Sequence, residues 1–126
     1  FIEICLAIAE GTLKDIDVTF QNKATVCKYA VPEGYPDKPI KGQPIDISNV
    51  ENADGLFFAS VDYKDGGLIE AGSRTVAVVG VANSISEAES IAENEISSVI
   101  GRLYHRSDIG KKEIVQKKID YMKSLR

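Results

Sequence analysis

The chain contains no tryptophan, one histidine, one methionine and two cysteines in 126 residues, and each scarcity removes a class of chemistry. Cys5 and Cys27 are far apart with no paired spacing, and the lone His105 cannot complete a zinc set, so neither a zinc framework nor a redox dithiol is available. Such cysteine usage fits a reducing cytoplasm. A Walker-type glycine loop and a dinucleotide fingerprint are both missing, so there is no built-in phosphate cradle. The longest apolar run, residues 1–9, is interrupted by Glu3, lacks a basic flank, and is far too short to span a bilayer. A net charge of −4 and an isoelectric point near 5.0 give no general attraction to nucleic acid or to an anionic membrane.

What is present is the composition of one packed domain: 44% hydrophobic residues, with no internal repeat and no low-complexity stretch. The charge is uneven. Lys111, Lys112, Lys117, Lys118, Lys123 and Arg126 oppose only Glu113 and Asp120 in the tail. Ile114, Val115, Ile119, Met122 and Leu125 interrupt these lysines at near-helical spacing, which reads as an amphipathic helix with a solvated basic face. An RNA-binding arm is the alternative reading of that tail. The chain opens at Phe1 directly on an apolar segment with no cap or turn, as expected of a piece of a larger protein.

Phe1, Ile4, Cys5 and Ile8 fall at helical spacing, and Gly11 can end that helix. The β-rich stretch 18–31 predicts a mostly buried strand closed by Pro32. Gly34-Tyr35-Pro36, followed by Pro39, Gly42 and Pro44, predicts a structured loop. Ile45 and Ile47 suggest a short edge strand. Residues 56–63 form a strong strand pattern, and Asp65-Gly66-Gly67 predicts a tight hairpin turn. The run Val76-Ala77-Val78-Val79 reads as a central strand buried on both faces. Ser84 or Ser86 starts the best helix, Ser86 and Glu89 having capping-box spacing. Its apolar face is expected to continue to Leu103, interrupted only by Glu95 and loosened at Gly101. A polar connection, 104–110, then leads to a final helix over about 111–125. The order predicts an α+β fold: an antiparallel sheet or open barrel flanked by an N-terminal helix and two C-terminal helices.

Few residues invite a chemical role. Both cysteines lie in apolar segments and read as small core filling. His105, Ser107 and Asp108 are too close in sequence to converge as a triad; Arg106 and Asp108 instead suit a lock on the connection between helices, with Asp108 as a polar cap. Arg74 stands out. It follows the Gly72-Ser73 bend and opens an apolar strand, where its guanidinium fork could grip a phosphate or carboxylate beside free backbone donors. A surface pairing with Glu70 is the competing role.

Gly34-Tyr35-Pro36, Asp65-Gly66, Gly72-Ser73-Arg74-Thr75-Val76 and Arg106-Ser107-Asp108-Ile109-Gly110 occur in an order and spacing that resemble the carboxy-terminal end of the phosphoribosylamine–glycine ligase family, within the ATP-grasp superfamily. Residues 1–15 resemble the helix that connects to the ATP-grasp core, and 16–126 the C-terminal ligase domain. Ser73 stands where a second glycine is usual. The resemblance implies a rudimentary hybrid-motif sheet that closes an active-site cleft. It also implies an enzyme that joins glycine to phosphoribosylamine through an acyl phosphate. ATP and magnesium would be bound mainly by the upstream ATP-grasp region, with no metal or complete catalytic set in this chain. Gly72, Ser73 and Arg74 would face the substrates, while Gly34, Tyr35, Pro36, Arg106, Asp108 and Gly110 would be structural. The expected partners are that upstream region and the two small substrates. A free-standing ligand-sensing module without catalysis is the alternative.

Overall fold

The structure, a computed structural model, describes residues 1–125; Arg126, counted above in the basic tail, lies outside the described residues. Helix α1 (Ile2–Glu10) ends at Gly11, whose φ of 71° is left-handed, and leads through a short 3-10 turn (Leu13–Asp15) to strand β1 (Ala24–Pro32). Strands β2 (Pro44–Ile45), β3 (Leu56–Phe58), β4 (Val61–Lys64), β5 (Gly67–Glu70) and β6 (Val76–Ala82) follow. Helix α2 (Ile85–Ser97), strand β7 (Leu103–His105) and helix α3 (Lys112–Ser124) complete the order. The strands form a four-stranded sheet, β3-β6-β1-β7, and a three-stranded sheet, β2-β5-β4. Every pairing is antiparallel, so the α+β expectation holds.

The long β1–β6 ladder, from Ala24 opposite Ala82 to Ala30 opposite Val76, is the spine of the domain. Side chains alternate across it. Val26, Lys28 and Ala30 share the inner face with Val76, Val78 and Gly80, and α2 lies across that face. Ala88 and Ala92 are fully buried against Val26. Their small side chains let the helix approach so closely that a Cβ on Gly80 would collide with the Ala88 carbonyl. Ile96, one turn further on, packs with Ala30, Val76, Val78 and Ile45 and so joins the two sheets. A side chain in such a place is worth roughly 2–5 kcal/mol against truncation to alanine.

Several local expectations are corrected. Helix α2 stops at Ser97 instead of running to Leu103, and 103–105 is an edge strand on β1 rather than the start of a polar connection. The apolar spacing of Ile96, Val99, Ile100 and Leu103 suits a helix, but Ile100 pairs with Asp46 through two backbone hydrogen bonds of 2.8 Å, which peels the chain off the helix axis. The capping box belongs to Ser84 and Glu87. Residues 56–63 break at Ala59-Ser60 into β3 and β4 in different sheets, and the first strand begins at Ala24 rather than near Val18. Helix α3 starts at Lys112, with Lys111 at the N-cap position and no side-chain cap, so Asp108 does not serve as one. Both cysteines are exposed rather than core filling.

Candidate functional site

The hairpin of β4 and β5 turns at Asp65 and Gly66, both with positive φ, in the arrangement that a two-residue turn requires. It delivers the chain to residues 71–75, which cross from the small sheet to the large one. Backbone bonds fix this crossing: Ala71 N–H donates to the Ser60 carbonyl (3.0 Å), Ser60 N–H to the Arg74 carbonyl (2.8 Å) and Thr75 N–H to the Ala30 carbonyl (2.9 Å). Thr75 is fully buried, and its hydroxyl donates to the Ser73 carbonyl at 3.3 Å. Gly72 has φ of 92°, and a Cβ there would run into the aliphatic stem of Lys41, which crosses the bend. Only glycine meets both conditions.

The bend ends in an exposed Arg74, whose guanidinium carbon stands 5.2 Å from the centroid of the Tyr29 ring. A cation over an aromatic face is held without a counter-charge, so its hydrogen-bond fork stays free. Among the described residues Arg74 forms no ion pair. Glu70, the competing partner, is instead turned inward and fully buried, with both carboxylate oxygens lacking a hydrogen-bond partner among the described residues.

Tyr29 belongs to the outer face of the large sheet, opposite α2. A cavity of about 270 Å³ there is lined by Cys27, Tyr29, Tyr35, Tyr104, Arg106 and their neighbours. Tyr104 donates its hydroxyl to the Tyr35 carbonyl at 2.8 Å, which fixes the Gly34-Tyr35-Pro36 turn to β7, and the Tyr35–Pro36 peptide is cis. Arg106 grips Asp108 through two bonds of 2.9 and 2.6 Å; the ion pair raises the pKa of Arg106 and lowers that of Asp108. The structure thus brings Arg74, Tyr35 and Arg106 to one face. Gly110 lies elsewhere, packed on Val26 and Glu89, where a Cβ would come within 2.9 Å of the valine. A larger hollow, about 420 Å³, lies along α3 alone between Val115, Ile119 and Met122 and gathers no converging polar groups beyond lysine stems.

The other concentration of charge is on the inner face, and sequence reasoning missed it. Lys28, fully buried, donates to Glu89 (2.8 Å), to Glu93 and to the Ser107 carbonyl (3.1 Å), while His105 Nε2 lies 3.2 Å from the other oxygen of Glu93. Burial would lower the lysine pKa, but its hydrogen bonds to the two glutamates outweigh that and raise it. Burial likewise would raise Glu93, yet bonds from Lys28 and His105 hold it below the ordinary range. Two signals were available: Lys28 alternates with Val26 and Ala30 on the core face, and Glu89 and Glu93 stand at i, i+4 on one helix face. Glu95, the charged interruption of α2, accepts from the backbone N–H groups of Glu51 (2.9 Å) and Asn52 (3.2 Å) and so anchors the loop before β3. Among the described residues no three His, Cys, Asp or Glu side chains are grouped to hold a metal ion, and no helix is long and apolar enough to cross a membrane.

The chain is similar in sequence to known proteins. Over its whole length the chain is 54% identical to a phosphoribosylamine–glycine ligase from Methanocaldococcus jannaschii, covering 29% of that protein. It is 48% identical to the enzyme of the same name from Methanococcoides burtonii, over 99% of this chain and 29% of the relative. The crystal structure of a phosphoribosylamine–glycine ligase from Thermotoga maritima aligns with a TM-score of 0.57 at 32% identity, over 64% of this chain and 20% of that one. The chain therefore spans less than a third of the length of the curated relatives it matches. Residues 25–112, which run from the first strand to the start of the last helix and include both the Gly72-Ser73-Arg74 bend and the Lys28 network, match the family described as phosphoribosylglycinamide synthetase, C domain, and the chain belongs to that family.

Proposed function

We propose that this chain is the substrate-facing terminal domain of an ATP-dependent ligase of purine biosynthesis that joins glycine to 5-phosphoribosylamine. In this reading residues 16–126 close one side of the active-site cleft, and residues 1–15 connect to an upstream ATP-grasp region. The family match carries the reading, and helix α1 supports it. Its residues are apolar nearly all round, yet only Ala7 is buried, the pattern of a helix that is covered in a larger protein.

Arg74 is the group that bears on the chemistry. Its fork, free of carboxylates and set over Tyr29, would take a phosphate oxygen pair or the charge that develops when the amine attacks an acyl phosphate. Gly72 and Ser73 would bring backbone close to the same group. ATP and magnesium would be bound mainly by the upstream region. The location of the enzyme is taken as cytoplasmic. The test is an assay of glycinamide ribonucleotide formation from ATP, glycine and phosphoribosylamine with the complete polypeptide and with the 126-residue chain. Activity in the first and silence in the second is the expected result; an inactive complete polypeptide, or turnover by the short chain unaided, contradicts it.

A further inference from the structure

The Gly72-Ser73-Arg74 bend carries a second cation. Cε, Cδ and Cγ of Lys41 would stand 2.4, 3.0 and 2.8 Å from a Cβ built on Gly72, so the ammonium, one bond beyond Cε, is held beside the bend. Two backbone bonds keep the lysine segment there: Gly42 N–H donates to the Glu70 carbonyl (2.8 Å) and Glu70 N–H to the Gln43 carbonyl (3.1 Å). Among the described residues Lys41, like Arg74, forms no ion pair. The backbone N–H groups of Gly72, Ser73 and Arg74 donate to no backbone carbonyl among the described residues, although those of Ala71 and Thr75 on either side do. Glu70, the acid nearest to the bend in sequence, is turned inward and buried. Two cations and successive free amide donors at one turn, with no acid between them, form a concavity for an anion.

We propose that Lys41 is a specificity-determining residue whose ammonium joins Arg74 and the amides of the bend in binding the phosphate of the sugar-phosphate substrate. The inference rests on the ligase-domain reading above and decides which anion meets the bend. A carboxylate such as that of glycine brings one negative charge and two oxygens. A phosphomonoester brings about −1.5 to −2 charges and three free oxygens at neutral pH. The guanidinium fork can take two of those oxygens, and the lysine, a point charge on a flexible stem, suits the third. Two cations match the dianion and exceed what a carboxylate needs. Gly72 is part of the device, because any side chain there would displace the lysine stem.

In the complete polypeptide, Lys41→Ala should raise KM for phosphoribosylamine about 10-fold, with kcat and the KM values for ATP and glycine within about twofold of the parent. Lys41→Arg keeps the charge and should recover most of the loss. Calorimetric titration gives a readout that needs no turnover. Ribose 5-phosphate should bind the parent enzyme where ribose does not, and Lys41→Ala should weaken that binding by roughly the factor seen in KM. An unchanged KM together with an unchanged affinity for ribose 5-phosphate in Lys41→Ala overturns the inference. A rise confined to KM for ATP also overturns it, since it gives the lysine to the nucleotide. The two readings stay separable: a complete polypeptide that binds ribose 5-phosphate through Lys41 yet forms no glycinamide ribonucleotide removes the ligase and leaves the phosphate site standing.

Discussion

Lys28 and Tyr29 are consecutive residues of β1, yet the charged one is fully buried and the aromatic one is 39% exposed. The inner face of the large sheet hides a cation with its two carboxylates under α2, whereas the outer face shows apolar side chains and an unpaired guanidinium. The inner arrangement is complete within the chain: each charge has its partners, and the helix covers the Lys28 ammonium. The outer face has no such network: Phe57 and Tyr104 stand exposed, and Arg74 rests on the Tyr29 ring.

Removing the cation should produce the largest effect. Lys28→Met keeps the stem but strands two carboxylates, and breaking such a buried pair should lower unfolding free energy by about 3 kcal/mol, the low end of the usual range because Glu93 is 26% exposed. Urea denaturation of the variant measures the loss. Adding Glu89→Gln and Glu93→Gln should recover much of it.

Glu70 provides the converse. Its carboxylate is buried without a partner among the described residues, so Glu70→Met should stabilise the domain by about 1 kcal/mol, seen as a higher denaturation midpoint, because an unsatisfied buried group is removed.

Acid should expose the inner network next. The folded pKa of Glu93 lies below its ordinary 4.5, so its contribution is fully present above 4.5 and is lost as pH falls through the lower folded value. Lys28 lies above its ordinary 10.5, so its contribution holds below 10.5 and is lost as pH rises beyond. Stability followed by circular dichroism should therefore decline below about pH 4.5 more steeply in the native chain than in the Lys28→Met variant. The smallest change belongs to Asp108→Asn: its pair with Arg106 is half-open to solvent, and screened surface pairs contribute little.

The same contrast explains what the sequence could and could not disclose. The hairpin turn at Asp65-Gly66 and the β6 strand were legible because local backbone chemistry decides them. The start of α2 was ambiguous because Ser84 and Ser86 each have a glutamate three residues on. The choice is made by Lys28, which draws Glu89 inward and leaves Glu87 to cap. Strand β7 was hidden inside a helical spacing that a pairing of Ile100 with Asp46, far off in sequence, overrides. Arg74 drew attention because it stands just ahead of an apolar strand after a glycine bend; that Tyr29 and not Glu70 lies beside it depends on which way β5 turns Glu70, a tertiary outcome.

The most direct measurement is steady-state kinetics of Arg74→Ala and Arg74→Lys in the complete ligase. Loss of the charge-assisted fork predicts a fall in kcat/KM of roughly 5- to 150-fold, equivalent to about 1–3 kcal/mol, with unchanged thermal stability and only partial recovery in the lysine variant. It should be seen in KM for phosphoribosylamine if the fork holds the bound phosphate, and in kcat if it meets charge that forms during attack. Native kinetics in Arg74→Ala would contradict the placement of this domain's outer face at the reacting groups.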